Sequence, residues 1–141
     1  MAIETGGEFH LKICTPKGVF LEDQVSEVTL PSAYHGEIGV LPGHAAYTGL
    51  LGVGVLEYVS KSRKGPERVV ISGGFTSFEN NTLLVLSDSA DNRDSVNLDT
   101  YAVQRQELGE TLESQIVGSV EWTRAKAELD RIEAIDELIS H

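Results

Sequence analysis

The hydrophobic period of this chain changes once, near residue 90, and that change constrains the architecture more than any other feature. Up to about Ser89 apolar residues alternate with polar ones in short runs. In FHLKIC, Phe9, Leu11 and Ile13 alternate with His10, Lys12 and Cys14, as expected of a half-buried strand. QVSEVTL, GVLEYVS, ERVVIS and TLLVLSD follow, rich in Val, Ile, Leu and Thr, and TPKG, LPGH, RKGP and ENNT between them are suited to turns. The Asn80-Asn81 pair tolerates positive φ, so a tight hairpin is expected there. Short strands with a turn roughly every ten residues imply a β-sandwich or flattened barrel.

From about Asp91 the period becomes helical. Leu98, Tyr101, Ala102, Leu108 and Leu112 mark one face of a first helix, capped by Asn97 or Ser95, with Asp99 in its first turn. IVGS breaks the pattern, Gly118 ending one helix and Ser119 capping the next. Trp122, Ala125, Leu129, Ile132, Ile135 and Ile139 form the apolar stripe of the second. The chain therefore divides into a β domain, residues 1–89, and an antiparallel helical hairpin, residues 90–141. Two helices that bury only one seam against each other barely offset their ordering entropy. A hairpin that docks, opens or extends along a partner is as consistent with this as a fixed one.

Charge and cysteine content narrow the function classes. A net charge of −11 opposes binding to nucleic acid and adsorption to anionic membranes, both of which need clustered Lys and Arg. The acidity is uneven: residues 1–88 hold six basic and ten acidic side chains, and 89–141 hold five and twelve. Cys14 is the single cysteine, which excludes an internal disulfide and suits a reducing compartment. MAIETGGEFH has neither a basic region nor an apolar run, so no secretory signal is expected. Residues 38–56 are uncharged for 19 positions but hold Pro42 and five glycines, which argues against a spanning helix.

The segment SAYHGEIGVLPGHAAYTGLLGVG brings His35, Glu37 and His44 within ten positions. Their spacing matches no common zinc pattern, and no metal or cofactor is expected. Gly49, Gly52 and Gly54 stand in the reverse of the dinucleotide-binding order, and ISGGF is not a nucleophile elbow. No catalytic residue emerges. Glycines that fix a loop, beside Tyr34, Ile38, Val40, Leu41 and Tyr47, suit a docking surface, and equally a well-packed internal loop.

Three motifs now become specific. GEIGVLPGHA (36–45), VISGGF (70–75) and LLVLSDSA (83–90) match, in order and spacing, those of the epsilon subunit of bacterial and chloroplast F-type ATP synthases, called delta in mitochondria. The chain resembles that family over essentially its whole length. The resemblance implies a sandwich of about ten strands followed by the helical hairpin. It implies a non-catalytic central-stalk subunit joining the gamma subunit to the membrane-embedded c-subunit ring, with catalysis at alpha–beta interfaces. It places the protein on the cytoplasmic face of a bacterial plasma membrane, or the equivalent organellar face, without inserting into it.

The resemblance also distributes residues. Gly36 and Glu37 are expected to face the c ring. Pro42, Gly43 and His44, with Ser72, Gly73 and Gly74, belong to a gamma-facing and structural surface. In relatives whose helices inhibit ATP hydrolysis by reaching into the alpha and beta subunits, basic side chains make the contacts; here Arg124, Lys126 and Arg131 are the candidates. The second helix carries those three against six carboxylates, so an acidic partner would repel it, although Arg124 and Arg131 are spaced for one face. LDTYA (98–102) resembles the start of a nucleotide-binding motif and keeps Asp99, with Arg131 as a later partner, but Tyr101 stands where an arginine is expected. Weak ATP binding or none follows. The competing reading is a free-standing acidic β-sandwich that takes a ligand at the 35–44 loop.

Overall fold

The computed structural model describes residues 7–93 and 98–140, with side chains described for 7–93 and 101–138. Seven strands, β1 (Phe9–Thr15), β2 (Gly18–Ser32), β3 (Gly36–Val40), β4 (Tyr47–Ser60), β5 (Pro66–Glu79), β6 (Thr82–Leu86) and β7 (Ala90–Asp91), precede two helices. These are α1 (Leu98–Ser114) and α2 (Val120–Ser140). The sheet runs β1-β6-β5-β4-β2-β3, and β1 also pairs with β2, so five strands close into a ring. β3 extends it beside β2, and β7 pairs with β5. The β1–β6 pairing is parallel and every other pairing is antiparallel.

The expectation of about ten strands is corrected to seven among the described residues. The reason lies in β2, β4 and β5, which are 15, 14 and 14 residues long and change partners instead of ending. β2 pairs with β1 at its beginning and with β3 and β4 further on, with register shifts between Val25 and Glu27 and between Thr29 and Ser32. A strand that bends through a bulge contributes to two walls while remaining one element.

Alternation decides what fills the ring. Phe9, Leu11 and Ile13 of β1, Val28 and Leu30 of β2, Leu56 and Tyr58 of β4, Val69 and Ile71 of β5 and Leu83 and Val85 of β6 share one buried core. Phe9 and Phe78 meet edge to face with ring centroids 5.4 Å apart. In ERVVIS the run is buried on both faces: Val69 and Ile71 point into the ring, while Val70 points out against α2.

That outward contact settles the state of the hairpin. Val70 clusters with Ala134, Ile135 and Leu138, and Val55 and Tyr101 pack at the margin. Burying Ile135 and Leu138 stabilises by about 1.5–3 kcal/mol each, a gain the seam between two helices alone does not provide. α2 is thus buried on more than one side, and Ala134 and Leu138 lie outside the single stripe drawn from the sequence. On α1, Tyr101, Leu108 and Leu112 are half-buried, but Ala102 is exposed, which corrects the expected apolar face. Gly118 adopts φ 89°, and the Ser119 hydroxyl accepts the Trp122 amide at 3.2 Å, capping α2 as expected. Asn97 and Ser95 lie outside the described residues.

Candidate functional site

Loop 36–44 is held by backbone geometry. Gly36 has φ 70° at the start of β3, and Glu37, exposed, pairs in register with Pro31. Glu37 also borders a groove of about 260 Å³ with Glu57, Arg68 and, from α2, Glu137 and Leu138. The c-ring-facing candidate therefore stands beside the docked end of α2. Pro42 and Gly43 form the next turn: Gly43 has φ 76°, and the His44 amide donates to the Leu41 carbonyl at 3.0 Å. The His44 ring packs edge-on to Phe78 (5.9 Å) and Tyr47 (6.4 Å), and its Nδ1 lies 2.7 Å from the Ala45 carbonyl. Asn81 of the β5–β6 hairpin accepts the Gly43 amide at 3.4 Å and donates to the Glu8 carbonyl at 2.7 Å, tying the loop to the barrel end. Both Asn80 and Asn81 take positive φ.

His44 is thus an anchoring side chain. Among the described residues no three His, Cys, Asp or Glu side chains gather closely enough to hold a metal ion. Of the loop's apolar residues, Tyr34 is 79% exposed and Leu41 56%, while Val40 is fully buried and belongs to the core, not to a contact surface.

Ser72, Gly73 and Gly74 act within the sheet. Here β5 passes from β7, paired at residues 70–71, to β6, paired from Phe75 onward. The Ser72 amide donates to Ser87 Oγ at 3.0 Å, and that hydroxyl donates to the Ser89 carbonyl at 2.8 Å. Gly73 and Gly74 have φ 67° and 112°, and a Cβ on Gly74 would lie 1.9 Å from the Leu86 carbonyl oxygen. Only glycine permits that approach.

Beside this crossing lies a surface that the sequence reading missed. Leu50 is in register with Phe75, Phe75 with Leu86, Leu86 with Cys14, and Cys14 with Val19. One apolar rung crosses five strands on the outside of the ring. Its exposures are 52% at Leu50, 42% at Phe75, 43% at Leu86 and 55% at Val19. The signal was available at Leu86, out of phase with the inward Leu83 and Val85, but not at Val19, which shares the parity of Leu21 and Val25 and is turned outward by a bulge opposite Ile13 and Cys14.

The helices distribute their basic side chains unequally. Arg124 is exposed, and Lys126 pairs with Asp130 at 2.9 Å, an exposed bond that raises the Lys126 pKa. Arg131 turns inward, with its side chain 15% exposed. Its Nε and Nη2 donate to the two carboxylate oxygens of Asp91 at 3.0 Å each, its Nη1 donates to Glu128, and its guanidinium lies 5.7 Å from the Tyr101 ring centre. Burial works against the charge, but Asp91 and then Glu128 outweigh it, so the Arg131 pKa is held above its ordinary value. Arg131 and Arg124 do not share an outward face in this arrangement. Arg93 donates through Nε and Nη2 to the Leu138 carbonyl at 3.3 and 3.0 Å, holding the last turn of α2. Arg105 pairs with Asp136 between the helices. The side chain of Asp99, the other nucleotide candidate, lies outside the described ones. At the hairpin turn Ile116, Val117 and Val120 are exposed.

Comparison with known proteins gives consistent findings. The family model of the ATP synthase delta/epsilon chain β-sandwich domain matches residues 8–93. The ATP synthase epsilon chain of Nitratidesulfovibrio vulgaris is 35% identical over 122 residues, 86% of this chain and 88% of that one. ATP synthase epsilon chain 2 of Nitrobacter hamburgensis is 35% identical over 127 residues, 90% of each. Among solved structures, a chain of the Euglena gracilis mitochondrial ATP synthase (OSCP/F1/c-ring) superposes with TM-score 0.77 at 19% identity, covering 99% of this chain and 89% of that one. A chain of the Tetrahymena thermophila mitochondrial ATP synthase central stalk and c-ring gives TM-score 0.61 at 15% identity, covering 95% and 98%. At such identities these two likenesses speak to the fold.

Proposed function

The chain belongs to the epsilon-chain family of F-type ATP synthases, and on that premise we propose that it is a non-catalytic rotor subunit linking the gamma subunit to the c-subunit ring. The observation that carries the reading is the exposed rung Val19–Cys14–Leu86–Phe75–Leu50, next to the glycine crossing at residues 73–74. A band of aromatic and aliphatic side chains on an otherwise acidic protein favours burial against another subunit. We assign it, with the Pro42-Gly43-His44 turn, to gamma. Gly36 and Glu37 are assigned to the ring, where a single exposed ion pair contributes only about 0–1 kcal/mol. The apolar rung must therefore supply most of the affinity.

No described helix is long and apolar enough to cross a membrane. The proposed location is peripheral, on the cytoplasmic face or its organellar equivalent, with the protein held there by the ring. Phe75→Glu together with Leu86→Glu tests the assignment, because both side chains already face solvent. Affinity for purified gamma should fall at least about 100-fold, as when buried interface anchors are lost, with the melting temperature unchanged. Full-strength binding by this variant would remove the rung from the interface.

The arm, residues 98–140, is proposed to contribute little inhibition through alpha and beta while docked. Arg131 is committed to Asp91, and six carboxylates oppose three basic groups along the second helix. ATP hydrolysis by synthase reconstituted with the whole chain should equal that with a chain ending at Arg93, which keeps β7. A several-fold rise on truncation would make the arm an inhibitor. The same engagement of Arg131 supports weak nucleotide binding or none, and millimolar ATP should leave the amide shifts of α1 and α2 unchanged.

A further inference from the structure

A polar cleft of about 460 Å³ opens where the first residues of β5 meet the end of α2. Arg63, Arg68 and Arg93 line it, with Glu67 as the carboxylate in its wall and Leu138 on its helical side. The chain has six arginines among its 141 residues, so half of them surround this one opening in a protein of net charge −11. No lysine lines it.

Local structure does not use up these guanidinium groups. Arg68 gives Nε to Glu57 at 2.9 Å, and Arg63 reaches Glu67 only at 3.7 Å, with its side chain 64% exposed. Arg93 gives Nε and Nη2 to a single oxygen, the Leu138 carbonyl. A guanidinium carries five N–H donors; the pairs named engage one on Arg68 and two on Arg93, while Arg63 and Glu67 are separated by more than a hydrogen bond. The backbone adds to this. β5 pairs with β4 along residues 66–69, but its ladder on the other side begins only at Val70, with β7. The cleft follows that unladdered edge, with Asn92 on the opposite bank.

We propose that this cleft binds a multivalent oxyanion of the phosphate class, held by Arg63 of the β4–β5 loop and Arg68 of β5 on one side and Arg93 on the other. Planar guanidinium forks match such oxygens two at a time, and three guanidinium groups against two carboxylates, Glu67 in the wall and Glu57 on Arg68, leave the site cationic. The site is distinct from Arg131, which takes no part in its lining. Arg93 grips the last turn of α2, so a ligand joining Arg93 to Arg68 fastens the arm to the barrel. This inference does not rest on the stalk assignment.

The test is a titration of the full chain with sodium pyrophosphate, following the amide shifts of Arg68, Val69, Arg93 and Leu138, with sodium chloride at matched ionic strength as control. Saturable shifts confined to the cleft are expected. Arg63→Gln should weaken them about tenfold, the loss of one charge-assisted pair, and its exposed loop position leaves the fold intact. Arg124→Gln, at the opposite end of α2 from the cleft, should leave the affinity unchanged. Shifts reproduced by chloride, or unaltered in both Arg63→Gln and Arg68→Gln, overturn the proposal.

Discussion

At the scale of single residues, Gly43 and Gly74 look alike in the sequence and differ in the structure. Both take positive φ, 76° and 112°, but a Cβ at Gly43 meets open space, whereas one at Gly74 strikes the Leu86 carbonyl. Gly43→Ala should cost about 1–2 kcal/mol, the ordinary left-handed penalty. Gly74→Ala adds a backbone collision and should exceed about 3 kcal/mol. Denaturant melts of the two variants check the ordering, and equal losses would mean that β5 shifts freely at the crossing. Gly43 was legible in the turn-forming LPGH, whereas Gly74 gained its role only through the family motif VISGGF. Sequence reading could not tell an open turn from a close approach, since the partner, Leu86, comes from another strand. The same limit hid Val40: its apolar character was legible, its inward direction was not.

Among the elements, α2 depends on one ion pair more than its propensity suggests. Asp91 and Arg131 are 10% and 15% exposed, so removing one partner strands a largely desolvated charge. Asp91→Asn should destabilise docking of the arm by about 2–4 kcal/mol. Hydrogen exchange should quicken in α2 while the core amides of β1, β5 and β6 stay protected. Equal acceleration in both would make the pair a support of the whole fold. The two helices and their turn were legible from period and from Ser119. Docking was not, because the stripe of one amphipathic helix does not reveal that a sheet covers its flank at Ala134 and Leu138. The count of about ten strands came with the family resemblance and not from turn residues, and it exceeds seven because β2, β4 and β5 run on as single long strands.

For the molecule as a whole, Tyr58 sets an alkaline limit. Its hydroxyl pKa is raised above 10.0, first by burial and then by Glu67, with Arg63 opposing and Asp23 adding. The unfolded chain therefore releases this proton at lower pH than the folded one. The contribution is complete below pH 10 and is lost as pH rises from there through the folded value. Tyr58→Phe should flatten that part of the stability profile measured by urea melts, and an unchanged slope would assign it to other groups. The parallel pairing of β1 with β6 has a further consequence, for synthesis on the ribosome. Residues 10–14 pair early with β2 but find their second partner only at 82–86, so the ring cannot close until nearly the entire barrel sequence has left the exit tunnel. Such distant pairing slows folding relative to local helical contacts. Until then the inner face of the first strand is an unsheltered surface in the cell, and a nascent-chain chaperone has its longest opportunity there.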